Sequence, residues 1–163
     1  MIRNHCVIEL DVQIGNWPRI ENFVEIQKGT VIGDHCFIRS FVRIGEDCVV
    51  GDYSTIKCHS ILATGTVLEK HVFIGPHTVF VSDANGHGGA TVSHYAWIGA
   101  HVVIEPGVVI PPRCIIGAHS LVRSGQIYKP WAVYFGIPAR EVRKGCKADF
   151  DKLGTSIREG EKE

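Results

Sequence analysis

Histidine and cysteine are the residues of this 163-residue chain best suited to acid–base, nucleophilic or metal chemistry, and their spacing sorts them. His5, His35, His59, His71, His77, His101 and His119 all lie at multiples of six residues from one another. Such a shared register points to one repeated structural position rather than seven functional ones. His94 and His87 fall outside it. His87 lies in Ser82-Asp83-Ala84-Asn85-Gly86-His87-Gly88-Gly89, a polar, glycine-rich string. Imidazole is the side chain suited to taking a proton near neutral pH, and Asp83 can orient one placed there. Cys6, Cys36, Cys48, Cys58, Cys114 and Cys146 show neither C-x-x-C nor zinc-finger spacing, and read as reduced thiols. Arg140, Arg143, Lys144 and Lys147 form the one basic cluster, a set of cations suited to a phosphate.

The elements that must position these residues follow from a repeat. Stepping in sixes from Ile2 to Val122 meets an apolar residue in twenty of twenty-one slots, Gly86 being the exception. Two residues before each slot stands a smaller side chain, such as Cys36, Val42, Ser54, Ser60, Thr66 or Ala96. A spacing of two puts both on one face of a strand. Glycine often follows the large residue, and two mostly polar positions then look like a corner. The seven histidines in register all occupy the second corner position, where a left-handed backbone is often needed and His is enriched. A six-residue strand and turn cannot bury its own face, so the units must stack into a solenoid of parallel strands, one strand spacing (about 4.8 Å) per coil. The general crossover rule favours a right-handed coil. The failure at Gly86 predicts a loop near 82–91, and loops on a stiff scaffold carry chemistry.

Composition agrees. Nineteen Ile and nineteen Val stand against five Leu, with 18 Gly and 7 Pro, which favours strands and turns over a helical bundle. Seventeen basic residues balance seventeen acidic ones, so a polyanion-binding stripe is not expected. No apolar run suggests an export signal or membrane span, and a cytoplasmic protein is expected.

The repeat resembles the hexapeptide-repeat acyltransferases, over residues 6 to about 144. Phe23-Val24-Glu25-Ile26, Leu68 to Pro76, and Lys129-Pro130 with Gly136-Ile137-Pro138-Ala139-Arg140 resemble the branch that N-acetylates nucleotide-linked amino sugars. The resemblance implies an all-β, left-handed parallel β-helix of about seven coils, against the usual crossover rule. It implies a helix domain at 1–136 and a tail at 137–163, read as a short helix or a frayed end. It also implies a homotrimer that moves acetyl from acetyl-CoA to a sugar, most readily the amine of a nucleotide-linked amino sugar. Sugar O-acetylation, a carbonic anhydrase-type zinc protein and a non-catalytic scaffold are the alternatives. The zinc enzymes of this fold carry a His-x4-His pair, which this sequence lacks, and no metal is expected.

For the site, the resemblance implies a catalytic loop in which His87 is the base. It places Asn85 where sugar O-acetyltransferases keep their His, and Ser82 where some N-acetyltransferases keep an Asn. Gly99-Ala100 and Gly117-Ala118, 18 residues apart, would admit the pantetheine arm against the backbone. Pro138 stands in the closing turn beside which the coenzyme binds, and Arg140, Arg143, Lys144 and Lys147 would meet its 3′-phosphate. Phe37, Phe73, Trp97 and Val103, each preceding a large inward residue, are expected to point outward and form an apolar patch for the trimer.

Overall fold

Hexads of this kind cannot close a core singly, and the computed structural model of the chain shows how they combine. It describes residues 1–86, 88–145 and 148–149. Each hexad yields a two-residue strand ending on the large residue of the repeat, and three strands complete a coil. Strands 18 residues apart pair in parallel, as Val7–Ile8 does with Glu25–Ile26. The result is a left-handed, three-sided parallel β-helix of about seven coils. Its first face holds seven strands, from Val7–Ile8 to Leu121–Val122. The second holds six, from Gln13–Ile14 to Val109–Ile110. The third holds eight, from Arg19–Ile20 through Ile115–Ile116 to the closing strands Ala132–Phe135 and Arg140–Lys144.

The core is the inside of the coil. Ile20, Ile26, Ile38, Ile44, Ile56, Ile74, Ile98 and Ile104 are fully buried, and the smaller class fills the space between them. Its hydroxyls would be costly there without partners. Thr30, Ser54, Ser60 and Thr78 therefore donate to the carbonyls of Gly45, Glu69, Gly75 and Gly99, each at 2.9 Å.

All seven in-register histidines take the left-handed backbone, with φ between 54° and 60°. At the corner from the third face to the first, His5, Phe23, Phe41, His59, His77, His101 and His119 form one continuous stack. Ring centroids are 4.8 to 5.1 Å apart. The spacing is the strand separation, so the coil itself sets the stacking distance.

The expected outward patch does not form as one surface. Phe37 and Phe73 do point out of the third face, yet they are only 5% and 7% exposed. Long cationic side chains from the same and adjacent coils lie over them: Arg19 and Arg39 at 4.7 and 5.1 Å from the Phe37 centroid, and Lys57 at 5.6 Å from that of Phe73. Trp97 is half-buried and stacks on Phe73 at 5.3 Å, whereas Val103 belongs to the first face. Exposed apolar rows occur elsewhere, with Ile61 and Val103 on the first face and Val31, Val49 and Val109 on the second.

The coil closes at its C-terminal end. Ala132–Phe135 continues the third face in parallel beside Ile115–Ile116, and the chain turns through a cis Ile137–Pro138 bond into the antiparallel strand Arg140–Lys144. Residues 140–144 of the stretch read as tail are thus part of the sheet. Residues 150–163, where a short helix or frayed end is expected, lie outside the described residues.

Candidate functional site

Pairing distance changes once along the coil. Val67 pairs with Thr91, Phe73 with Trp97 and Val79 with Val103, each 24 residues apart instead of 18. One hexad is therefore lifted out between Phe80 and Thr91, at the corner from the first face to the second. Its place is the slot that Gly86 occupies in the repeat. Ser82, Asp83 and Asn85 are exposed on this loop. Asp83 Oδ1 accepts the Asn85 N–H at 2.9 Å and the Asp83 carbonyl accepts that of Gly86 at 3.1 Å, which closes a turn. Gly86 and Gly88 have φ of 80° and 146°, open to glycine at little cost. His87, the base expected from the sequence, lies outside the described residues.

The rung that leaves the loop, Thr91–Val92, ends at His94, at the corner from the second face to the third. There the ring Nδ1 lies 2.9 Å from Glu69 Oε2, and the backbone N–H of His94 donates to the same oxygen at 2.9 Å. These bonds, the imidazole's first, hold the Glu69 carboxyl below the usual carboxylate range. The pair borders a cleft of about 540 Å³ floored by Val49, Gly51 and Val67 and walled by Lys70, His71 and Tyr95. Lys70 is tied to Asp52 at 2.8 Å, an ion pair that raises the lysine pKa and lowers that of the aspartate. His71 stacks on Tyr95, and the Arg113 guanidinium lies 4.4 Å over the other side of that ring.

Sequence reasoning passed over this pair because 25 residues separate its members. A signal exists nonetheless. Glu9, Glu21 and Glu105 each accept a backbone N–H from a residue 19 positions on, namely Lys28, Ser40 and Ser124. The extruded hexad turns 19 into 25, so Glu69 and His94 are the same relation across the loop.

The small residues proposed for the coenzyme divide into two kinds. Gly99 and Gly117 are buried, and their want of a side chain serves the next coil. A Cβ on Gly99 would stand 2.6 Å from the Ala118 nitrogen, and one on Gly117 would overlap the Phe135 ring. Ala100 is half-buried and Ala118 exposed, bordering the ring stack at the corner from third face to first. Pro138 is half-buried in the closing turn.

In the last strand, Arg143 pairs with Val133 and Arg140 with Phe135, across an irregularity that leaves Val142 over. Directly paired residues share a face of the sheet, so the bulge brings Arg140 and Arg143 to the same side. Arg140 donates to Gln126 at 3.0 Å, Arg143 holds Asp149 with two bonds at 2.7 and 2.9 Å, and Lys144 is exposed. Lys147 lies outside the described residues.

Thiol chemistry finds poor support among the buried cysteines. Burial pushes the Cys36 and Cys114 thiols up to about 12 and Cys48 to about 11, so thiolate is scarce at neutral pH. Among the described residues no three His, Cys, Asp or Glu side chains converge as metal ligands, and no helix is long and apolar enough to cross a membrane.

The sequence model described as bacterial transferase hexapeptide (six repeats) matches residues 11–46 and 89–125, the two stretches flanking the middle coils and the loop. No curated protein matches the chain in sequence. Solved structures are similar in fold. A putative acetyltransferase of Bacillus cereus is 20% identical with a TM-score of 0.73, covering 96% of this chain and 94% of its own. A mutant of AntD, an N-acyltransferase from Bacillus cereus in complex with dTDP and coenzyme A, is 20% identical at a TM-score of 0.63, covering 93% and 87%. PerB from Caulobacter crescentus, in complex with coenzyme A and GDP-perosamine, is 22% identical at 0.51, covering 87% of this chain and 56% of PerB.

Proposed function

Starting from a chain whose repeats match the transferase hexapeptide model over residues 11–46 and 89–125, we propose that it moves an acetyl group from acetyl-CoA to the amine of a nucleotide-linked amino sugar. The observation that carries this reading is the single extruded hexad on an otherwise unbroken coil. Structures of the same fold, AntD and PerB, were solved with coenzyme A and with a nucleotide or a nucleotide sugar.

The chemistry asks little of the protein. The amine nitrogen attacks the thioester carbonyl carbon, the C–N bond forms and the C–S bond breaks, and coenzyme A leaves as the thiol. A thioester is already activated, so neither an enzyme nucleophile nor a metal is required. Orientation, a proton acceptor and a donor to the oxyanion suffice. In this reading Ser82, Asp83, Asn85 and His87 grip the acceptor from the loop. The pantetheine arm runs along Ala100 and Ala118 beside Gly99 and Gly117, and Pro138, Arg140, Arg143 and Lys144 receive the coenzyme's far end.

The loop, His94 and the Ala100–Ala118 stripe sit at three different corners of one coil. A second copy is the simplest way to bring one copy's stripe against another's second face, between the loop and His94, which supports a homotrimer. A cytoplasmic site of action belongs to the same reading, in keeping with the free thiols of Cys6, Cys36, Cys48, Cys58 and Cys114.

Thiol release from acetyl-CoA in the presence of GDP-perosamine or dTDP-linked amino sugars is the test, with light scattering expected to give three times 18.0 kDa. Release with hydroxyl sugars alone would replace the amine by an alcohol. No release with any sugar would end the proposal.

A further inference from the structure

We infer that Glu69 and His94 are the acid–base pair of this protein, with the cleft on the second face receiving the acceptor's amine and His94 Nε2 taking its proton. The inference rests on the acyl-transfer reading above and names the group that performs its proton transfer.

The tautomer follows from the partners. An ionised carboxylate only accepts hydrogen bonds, so the 2.9 Å contact requires the proton on His94 Nδ1. That leaves the lone pair on Nε2, the nitrogen that Glu69 does not touch. The same carboxylate oxygen also holds the backbone N–H of His94, so one group fixes both the corner and the ring. The depressed pKa of Glu69 keeps it ionised at neutral pH. The ring is half-exposed, within reach of a ligand.

Comparison with the other corners isolates the feature. The equivalent carboxylates Glu9, Glu21 and Glu105 hold Lys28, Ser40 and Ser124, none of which is a base at neutral pH. Among the described residues this is the one such cap that carries an imidazole, and it borders the 540 Å³ cleft. That volume is within the range of small-molecule sites. The in-register histidines offer no counterpart, since their rings are committed to stacking along the corners. Six residues of one rung separate Gly88 at the loop's exit from His94, at most about 20 Å of extended chain. An acceptor gripped by the loop at one end thus reaches the pair with the other.

The step balances. As the amine nitrogen bonds to the acetyl carbon, its proton passes to His94 Nε2, and Glu69 stabilises the imidazolium. The proton then goes to the departing sulfur of coenzyme A, which restores neutral His94. The ionisable groups facing the pair are Lys70 with its partner Asp52, His71 and Tyr95 at the cleft wall, and Arg113 from the next coil.

The test uses the full-length protein with acetyl-CoA and GDP-perosamine or a dTDP-linked amino sugar. His94→Gln should lower kcat by about 10²–10⁴, leaving the KM for acetyl-CoA within about threefold. Glu69→Gln keeps an amide oxygen for the corner N–H and should fold. Its kcat should fall about tenfold, a positioning loss. Its KM for acetyl-CoA should stay within about threefold, so that the loss falls on kcat alone. Glu69→Asp should recover part of the rate.

Activity of His94→Gln within threefold of an active wild type overturns the pair and leaves the acyl-transfer reading standing. A kcat of Glu69→Gln equal to that of wild type, or a Glu69→Asp variant no faster than Glu69→Gln, overturns the role given to Glu69. A wild-type protein that acetylates no amine overturns the reading and the pair together.

Discussion

Two corners of the same coil use histidine in opposite ways. At the corner from third face to first, His59, His77, His101 and His119 stack ring on ring at 4.8 to 4.9 Å. At the corner from second face to third, His94 turns its ring onto a carboxylate. The difference is one residue of register. The second corner position has positive φ and aims its side chain along the coil axis, toward the same position one coil away. The first corner position aims at the residue that follows the preceding coil's strand, which is Glu69 here. Residue type alone therefore says little about a histidine on this scaffold, and position within the hexad says a great deal.

The most damaging way to probe that scaffold is to charge its interior. Ile104 is fully buried, and Ile104→Asp should cost several kcal/mol, about enough to prevent folding. A soluble protein unfolding cooperatively in a thermal melt would contradict the inward register.

A gentler pair of variants compares the two imidazoles outside the stacks. If His94 takes the proton, His87→Ala should lose less than about tenfold in kcat, while His94→Gln loses about 10²–10⁴. The reverse ranking in steady-state kinetics would return the base to the loop, as the sequence alone suggests.

On the stacked corner the expected effect is on stability. His59 lies between Phe41 and His77. His59→Asn keeps a residue that tolerates positive φ but removes two ring contacts, each worth about 0.5–1.5 kcal/mol. The melting temperature should drop by about 3–9 °C with kcat unchanged. A fall in kcat at equal stability would mean that the stack does more than hold the corner.

The smallest effect concerns pH. The folded-state pKa of Glu69 is depressed, so its bond to His94 adds stability above the ordinary glutamate pKa and loses it as pH falls through the lower folded value. Half-exposed ion pairs are worth about 0–1 kcal/mol. Glu69→Gln should thus melt at most a few degrees below wild type near pH 7, and the gap should close in acid below the glutamate value of 4.5. A gap that persists unchanged at pH 3 would assign the stability to packing.

Much of the fold is legible in the sequence because the hexad is a local code. Each inward Ile or Val, each small partner and each corner histidine is set by its own six residues, and stacking identical units then leaves few choices. The extruded hexad was visible too, as the one slot without an apolar side chain. The hand of the coil was not written in the period and entered through resemblance.

What the tertiary structure decided lies between coils. It showed Phe37 and Phe73 covered by Arg19, Arg39 and Lys57, and Gly117 closed by Phe135. A bulge at Val142 put Arg140 and Arg143 on one side of the closing sheet. Above all it brought Glu69 to His94, because lifting six residues out of the coil lengthens the separation in sequence while leaving the separation in space at one strand spacing. Periodicity reports what repeats within a unit. Contacts across an interruption depend on which units become neighbours, and only the folded chain settles that.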